Sequence, residues 1–582
     1  TPPAVVVKGD TVEYSVGAYQ ADEHDALQDI VRKLPGVELD AEGNLKANGK
    51  AIDKILIDGK EFFGNDIKRA LTDLPAKMIK RIQLFKKDTE EAELTGIKSE
   101  QNKEQVLNLQ VKDEAKKSIF GYVQAGYGTD EKYNVSGSLY RMRDDKQLMA
   151  RASVNNLDIQ QERMRFGYGG GNSSGLTENK EFALTYNTGG RRSKNKFDVE
   201  SGIDYDDNWN QDRTENETQY FLTTGDRFSQ GSTTSESQSK KLGGNLRLNW
   251  RPDSLTTIFL RVNLSHSSTF RSNTSDGKSY VSDTTYTSVN SYSNGTSDMG
   301  SINLHVSREL GKKSRRLTFS TRQSLQNSDD EGFNLSSTTY SSPAQSPIYL
   351  NQKSNTDNKT YNWSFGGAYT EPLTDSIQVL VNYNISRNSS KRDKETMKKD
   401  AFGEYSIIDP DYSRYSENTY QTHSFGVGIQ SYRSKYNYFF AFNVNPQMMQ
   451  TKVAFRDSVI DDLKQNVTNY SPTLNIGWNP DKNRSLKFYY FGTTEQPSLN
   501  QLSSDTTMLS ATSKRYGNPN LKTGFRNNFN LQYNKSNSEK EEYFFLYVGG
   551  SYNLNSIVNY TVMDSLGGYS TTYRNVSGDI RL

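Results

Sequence analysis

The sequence predicts a membrane all-β protein: a large antiparallel transmembrane β-barrel preceded by a small α+β domain at the N-terminus. Three observations carry this prediction. From about residue 116 onward, apolar and polar side chains alternate repeatedly, as in strands with one buried face. The connections between these stretches alternate in length, as they do in outer-membrane barrels, which have short turns at one end and long loops at the other. The composition is polar yet aromatic, with 33 % hydrophobic residues, a mean hydropathy of −0.83, 36 Tyr and 26 Phe. A disordered chain would be poor in aromatics. A barrel needs an apolar outer band, a polar interior and aromatic girdles.

Residues 1–115 read as one small domain. Ala26, Leu27, Ile30, Val31 and Leu34 share one face at helical spacing, so the pattern predicts a helix over Asp22–Leu34 with Asp22 as N-cap. Pro35-Gly36 ends it, because proline disfavours helical backbone at the residue before it. Short strands follow at Val37–Leu39 and Leu45–Ala47 around an Asp-Ala-Glu-Gly turn. Lys54–Ile57 is a strand that stops at Asp58-Gly59. Pro75–Met78 forms a helical turn, and Ile79–Phe85 and Val106–Val111 complete a sheet.

Residues 116–582 read as strands throughout. Leu148, Ala150, Ala152 and Val154 alternate with Met149, Arg151, Ser153 and Asn155. Ile258 to Leu264, Ile377 to Ile385, Tyr436 to Val444 and Phe544 to Gly550 repeat the pattern. Arg and Asn on the second face call for water, which suggests a wet lumen. Short connections are expected near Asp144-Asp145, Gly189–Arg192, Arg251–Asp253, Gly311–Ser314, Glu371–Asp375, Arg433–Lys435, Asn479–Asn483 and Ser536–Lys540. Long ones are expected over 157–178, 207–240, 326–357, 388–418 and 492–523. About 18 strands result, the first starting near Ser118.

Two stretches resemble a known family. The segment LQDIVRKLPGVELDAEGNLKANGKAIDKILIDGKEFFG, followed by DIKRALTDLPAKMIKRIQLFK, is similar to the plug domain of TonB-dependent outer-membrane receptors. The matching residues are Leu34, Pro35, Gly36, Val37, Gly43, Gly49, Ile57, Asp58, Gly59 and Gly64. The match is closer to outer-membrane β-barrel family proteins with such a plug than to SusC-like importers, whose strand is usually of the YVIDG type where this chain has KILIDG. The second stretch, QPSLNQLSSDTTMLSATSKRYGNPNLKTGFRNNFNLQYN, resembles the family's late-barrel signature through Gly517, Asn518, Pro519, Leu521 and Lys522. Thr523-Gly524 stands where the family usually has Pro-Glu.

The resemblance implies a barrel of 22 strands around the plug. The 18 or so visible strands, with a chain ending Ile580-Arg581-Leu582 and not on an aromatic residue, then imply that the C-terminal part is incomplete. It also implies energy input from the TonB complex through an N-terminal segment that precedes Thr1 or includes Thr1–Lys8, where no clear TonB box is visible. Thr1 reads as a processed or trimmed start. Substrate would bind between the plug apex and the extracellular loops. Candidate contacts are Asp58, Lys60, Phe62 and Phe63 in the Asp58–Gly64 loop. For the two Phe rings the favoured reading is packing of the plug against the barrel wall, since aromatics are first of all burial material.

Several chemistries find no support. There is no cysteine, hence no disulfide and no thiolate chemistry. The four histidines, His24, His266, His305 and His423, sit in different elements without metal-ligand spacing. No nucleophile elbow or P-loop occurs, and Gly169-Gly170-Gly171 reads as part of a polar loop. A net charge of +2 argues against a nucleic-acid partner. The run Lys86–Glu93 reads as a solvated face. No stretch of about 18 apolar residues exists, so no transmembrane helix is expected. The expectation is a non-enzyme, without metal or cofactor, in the Gram-negative outer membrane, with short turns in the periplasm and long loops outside. It would contact outer-membrane lipid and import a nutrient through the plugged barrel, with a surface lipoprotein or other outer-membrane protein as a further partner. The alternatives are a barrel that scaffolds an outer-membrane assembly without transporting, and a passive porin. A soluble fibrous or adhesin-like β-protein would leave the plug unexplained.

Overall fold

The computed structural model describes residues 5–581 apart from 9–10, 21, 23–24, 41–43, 48–49, 62–66, 96–102, 144–145, 158–175, 189–196, 222–225, 281–283, 312–313, 344, 434, 482–483, 504–505, 511–512, 538–541 and 564–568. The chain divides into two compact units. One comprises Thr1–Asp212 with Ser237–Ser267, the other Arg213–Glu236 with Ser268–Leu582.

The first unit opens with a six-stranded sheet in the order Val5–Lys8, Thr11–Ser15, Ile79–Asp88, Lys103–Val111, Lys54–Ile57, Lys60–Glu61. Lys54–Ile57 runs parallel to Lys103–Val111, and the remaining pairs are antiparallel. A three-stranded sheet of Val37–Leu39, Leu45–Ala47 and Lys50–Ala51 lies apart. Leu27, Ile30, Val31, Ile55, Leu71, Leu74, Ile82, Leu107 and Leu109 form its core. The strands Val37–Leu39, Leu45–Ala47 and Lys54–Ile57 and the helical turn Ala76–Met78 stand where the sequence places them. Ile79–Asp88 and Lys103–Val111 run longer than expected, and Val5–Lys8, Thr11–Ser15, Lys50–Ala51 and Lys60–Glu61 are strands beyond those expected.

The first helix differs from expectation. It spans only Leu27–Val31, and its N-cap is Ala26, not Asp22. The upstream residues have other partners: Leu27 N–H donates to the Leu74 carbonyl at 2.8 Å, and Ala76 N–H donates to the Asp25 carbonyl at 2.8 Å. These bonds pair the segment with residues 74–76, so no further helical turn can form. Asp29 takes over the capping, accepting the Ala26 N–H at 2.9 Å. The C-terminal end also falls short of the expected Leu34, with the helix closing at Val31 and Arg32 as C-cap. The chain then turns through Pro35-Gly36, where Gly36 has φ +76°, a conformation open to glycine at no steric cost.

Among the described residues nineteen strands then form one antiparallel sheet in chain order, against the 18 or so expected. It starts with Lys117–Tyr127, Tyr133–Arg143, Lys146–Asn155 and Leu176–Thr188 in the first unit. In the second unit, Thr284–Glu309, Arg316–Tyr340, Ile348–Pro372 and Ile377–Lys399 are 23 to 26 residues long. The expected short turns are present at 251–255 and 373–376, and the strands on either side of 310–315 and 433–435 end where expected, with 312–313 and 434 outside the described residues. Those at 144–145, 189–192, 482–483 and 538–540 fall outside the described residues, as does Gly169–Gly171.

Most of the expected long loops are strands. Residues 207–220, 227–240, 326–340, 348–357, 388–399 and 414–418 all continue ladders. The second unit shows why. Thr285 to Glu309 pairs residue for residue with Tyr340 to Arg316. Toward the short turns, one face of this ladder is apolar and exposed, with Leu317, Phe319 and Leu325 on one strand and Tyr361, Phe365 and Tyr369 on the next. Beyond these, the same face carries Asp329, Glu331, Asp357 and Lys359. The apolar belt is about ten residues tall. A strand rising about 3.3 Å per residue and leaning about 40° covers about 25 Å in that length, the height of a bilayer-facing band. Above the belt both faces meet water, so the ladder persists without hydrophobic alternation.

Candidate functional site

The residues that carry the plug resemblance are structural in the first unit. Leu34 is buried, and the Pro35 carbonyl accepts a hydrogen bond from Tyr14 Oη at 2.9 Å. Asp58 (φ +49°) and Gly59 (φ +84°) both occupy left-handed backbone and make the tight hairpin turn between Lys54–Ile57 and Lys60–Glu61. Asp58 N–H donates to the Leu109 carbonyl at 2.9 Å. The side chains of Lys60 and Glu61, and all of Phe62, Phe63 and Gly64, lie outside the described residues.

A chain of polar side chains crosses the sheet to this turn. Arg81 Nη1 donates to Glu13 Oε1 at 2.8 Å, and Gln83 Nε2 donates to Glu13 Oε2 at 3.1 Å. Asn108 Nδ2 donates to Gln83 Oε1 at 2.9 Å, and Gly59 N–H donates to Asn108 Oδ1 at 2.8 Å. Glu13 and Asn108 are both buried, so the chain satisfies polar groups whose burial would otherwise be costly. It ties the N-terminal strand Thr11–Ser15 to the Asp58-Gly59 turn. Periodicity could not reveal it, because its members are far apart in sequence.

Two acidic groups fasten the small domain to the first strands of the large sheet. The first is Asp73, at the end of the helix Ile67–Asp73. Its side chain is 1 % exposed. Tyr140 Oη donates to Asp73 Oδ2 at 2.6 Å, and Thr72 Oγ1 donates to Oδ1 at 2.8 Å. Arg151 Nη1 stands 3.7 Å from Asp73 Oδ2, with Glu181 Oε2 3.7 Å from Arg151 Nε. Phe120 stacks on the Tyr140 ring at 5.1 Å. Met142, Met149 and Ala183 join the same apolar core as the small domain. The Arg151 face, expected to meet water, is therefore covered protein surface here.

The second is Glu90, in the helix Glu90–Thr95, where Thr89 Oγ1 caps the Ala92 N–H at 3.1 Å. Glu90 pairs with Arg247 and lies 3.9 Å from Arg261 Nη2. Glu200 Oε2 is 3.8 Å from Arg247. Both guanidinium groups lie over the buried Phe259 ring, at 5.7 and 5.6 Å. This corrects the reading of Lys86–Glu93 as a solvated face: Glu90 is docked, Ala92 is buried, and Lys87 Nζ is 3.7 Å from Glu93. Thr89 followed by an acidic first turn is a helix-start signal that could have revealed the element.

In the second unit, the barrel motif clamps a local knot. A Cβ on Gly517 would lie 2.2 Å from the Ser503 carbonyl oxygen, so only glycine fits there. Asn518 N–H donates to the Gln501 carbonyl at 2.6 Å, and its side-chain amide donates to the Tyr573 carbonyl at 2.9 Å. Leu521 packs on Met449, Leu499 and Leu502. Pro519, in the same turn, precedes Leu521 without a bond that defines its role.

Among the described residues no group of three His, Cys, Asp or Glu side chains is placed to hold a metal ion.

Residues 308–582 match the outer membrane protein beta-barrel family. Together with the apolar belt on the strands, that match places the protein in the outer membrane as a β-barrel protein. No curated protein matches the chain. Solved structures that align with it include the pyoverdine outer membrane receptor FpvA from Pseudomonas aeruginosa, at 11 % identity and TM-score 0.36, covering 97 % of this chain and 86 % of that one. The siderophore receptor PiuA from Acinetobacter baumannii aligns at 11 % identity and TM-score 0.44, covering 96 % and 81 %. The ferric yersiniabactin uptake receptor FyuA from Yersinia pestis aligns at 9 % identity and TM-score 0.31, covering 97 % and 96 %. These likenesses are too loose to transfer a ligand.

Proposed function

We propose that the protein is an active importer in which residues 1–115 plug a barrel begun at residue 116, and that the TonB complex supplies the energy. The supporting observation is the docking of the small domain on one face of the first sheet strands through Asp73 and Glu90. That face carries Tyr140, Arg151, Glu181, Glu200 and Arg247, whereas the opposite face carries exposed Leu139, Phe182, Leu184 and Ile203. Lipid takes the apolar face. The small domain takes the polar face, which is where a plug must sit.

The contacts suit a plug that yields under load. They are ion pairs and hydrogen bonds around a small apolar patch, and each is lost once the groups separate by a few ångströms. The strand Val5–Lys8 is the outermost of its six-stranded sheet among the described residues, which leaves an edge that a partner strand can extend. A pull there acts on Thr11–Ser15, and through Glu13, Gln83 and Asn108 on the Asp58-Gly59 turn. In this reading Asp58, Lys60, Phe62 and Phe63 form the substrate-facing apex, the long strands rise outside the cell, and the short turns face the periplasm.

The test is solute depletion from a complex medium. Cells with and without the chain are compared, each with and without a working TonB complex. A solute that disappears only when both are present supports energised import. Depletion that ignores TonB favours a porin, and no depletion at all favours a scaffold.

A further inference from the structure

The first unit holds a cavity of about 230 Å³ lined by Glu178, Lys180, Asp207, Trp209 and Gln238. It lies on the face of the sheet turned away from the small domain. The register shows this directly: Phe182 pairs with Tyr205, Lys180 with Asp207, and Glu178 with Trp209, successive steps up one face. Phe182 and Tyr205 are exposed apolar residues of the lipid-facing band. The cavity therefore begins where that band ends.

Its height agrees. Lys180 stands eight residues before the strand end at Thr188, and Asp207 ten residues after the strand start at Phe197. Eight to ten residues on strands leaning about 40° rise about 20–25 Å, the height of the apolar band. The far boundary of that band is the headgroup layer, where tryptophan is favoured for its amphipathic ring.

The chemistry is specific. Trp209 offers a flat apolar surface. Asp207 is 8 % exposed, and its Oδ1 accepts from Gln238 Nε2 at 2.9 Å. Lys180 Nζ is 2.9 Å from Glu178 Oε1. Two carboxylates and an amide suit hydroxyl donors, and the ammonium suits a phosphate. The volume equals about eight liquid waters, below the roughly 300–1,000 Å³ of drug-sized pockets. It admits a single sugar ring.

We propose that this cavity seats the sugar-phosphate headgroup of an outer-leaflet glycolipid. The proposal rests on the outer-membrane placement and does not depend on import. A phosphatidylethanolamine headgroup has no hydroxyl for the carboxylates and the amide, and phosphatidylglycerol has only those of its terminal glycerol and no ring to lie on Trp209. A free sugar has the right chemistry but no acyl chains to lie along Phe182, Leu184 and Tyr205.

The experiment is native mass spectrometry of the full chain in detergent, with rough lipopolysaccharide, phosphatidylglycerol or a free glucosamine disaccharide added. The expected result is one retained rough lipopolysaccharide. Trp209→Ala and Lys180→Ala should each lower the retained fraction about tenfold, the effect of losing one good contact. Trp478→Ala, which removes a different exposed indole, should leave it unchanged. Lys180 is a half-exposed surface side chain, so its variant keeps the fold. Retention unaffected by both cavity substitutions overturns the proposal. So does disaccharide binding that Trp209→Ala abolishes when no lipopolysaccharide is retained, which would make this a soluble-sugar site.

Discussion

The four strands from Lys117 to Thr188 are 10 to 13 residues long, whereas the four from Thr284 to Lys399 are 23 to 26. A bilayer crossing needs about 9–11 residues. The short strands are therefore little more than a crossing. Their polar face is covered by the small domain, and their contribution is to hold it. The long strands carry about a dozen residues more than a crossing, or about 40 Å of ladder standing in water. Side-chain chemistry separates the two kinds of strand. Where one face meets lipid the sequence alternates, and where both faces meet water Ser, Thr, Asn and Tyr occupy both, as in Thr284–Asp298.

The largest expected effect falls on the short-stranded region. Asp73→Ala leaves the buried Tyr140 hydroxyl without its acceptor and Arg151 with only Glu181 beside it. Losing one member of a buried pair costs about 3–5 kcal/mol. Hydrogen exchange over residues 67–74 should accelerate accordingly, while residues 326–340 should not change. Uniform acceleration would mean that the two regions are not independent.

A second comparison uses one strand face at two heights. Phe319 and Leu335 lie on the same face of Arg316–Tyr340, at 46 % and 57 % exposure. Phe319→Arg in the belt should cost about 2–4 kcal/mol in refolding titrations into bilayers, and Leu335→Arg about zero. Equal costs would remove the distinction between membrane and extramembrane ladder.

A third concerns the ladder itself. Amides of 285–298 pair with residues 340–327, so they should exchange over hours. Exchange within seconds would restore the loops expected from sequence.

The smallest effect is expected at Tyr14. Burial, and next the neighbouring Tyr19, push its hydroxyl up to about 12. Ionisation is therefore easier in the unfolded chain. The hydroxyl's contribution is complete below about pH 10 and is lost as pH rises toward 12. Tyr14→Phe removes the hydrogen bond to the Pro35 carbonyl at a cost of about 1 kcal/mol at neutral pH. It should also flatten the alkaline loss of stability, read from near-ultraviolet circular dichroism of the small domain.

Much of the fold was legible. Alternation at Leu148–Val154 and Ile377–Ile385 marked strands, and Pro35-Gly36 and Asp58-Gly59 marked turns. The bounds of the first helix were not, because its first expected turn is consumed by bonds to residues 74–76 that no local pattern encodes. The upper ladders were missed because hydrophobic periodicity vanishes where both faces are wet. The candidate site was only partly legible. Arg151 was singled out as polar, but its partner Asp73 lies 78 positions earlier, and Glu90 sat in a run that resembles any solvated charge cluster.

The most direct measurement of the central claim is planar-bilayer conductance of the complete protein with and without residues 1–115. The account predicts a closed full-length protein and a conducting deletion. Steady conductance of the full-length protein, or a deletion that stays closed, would contradict it.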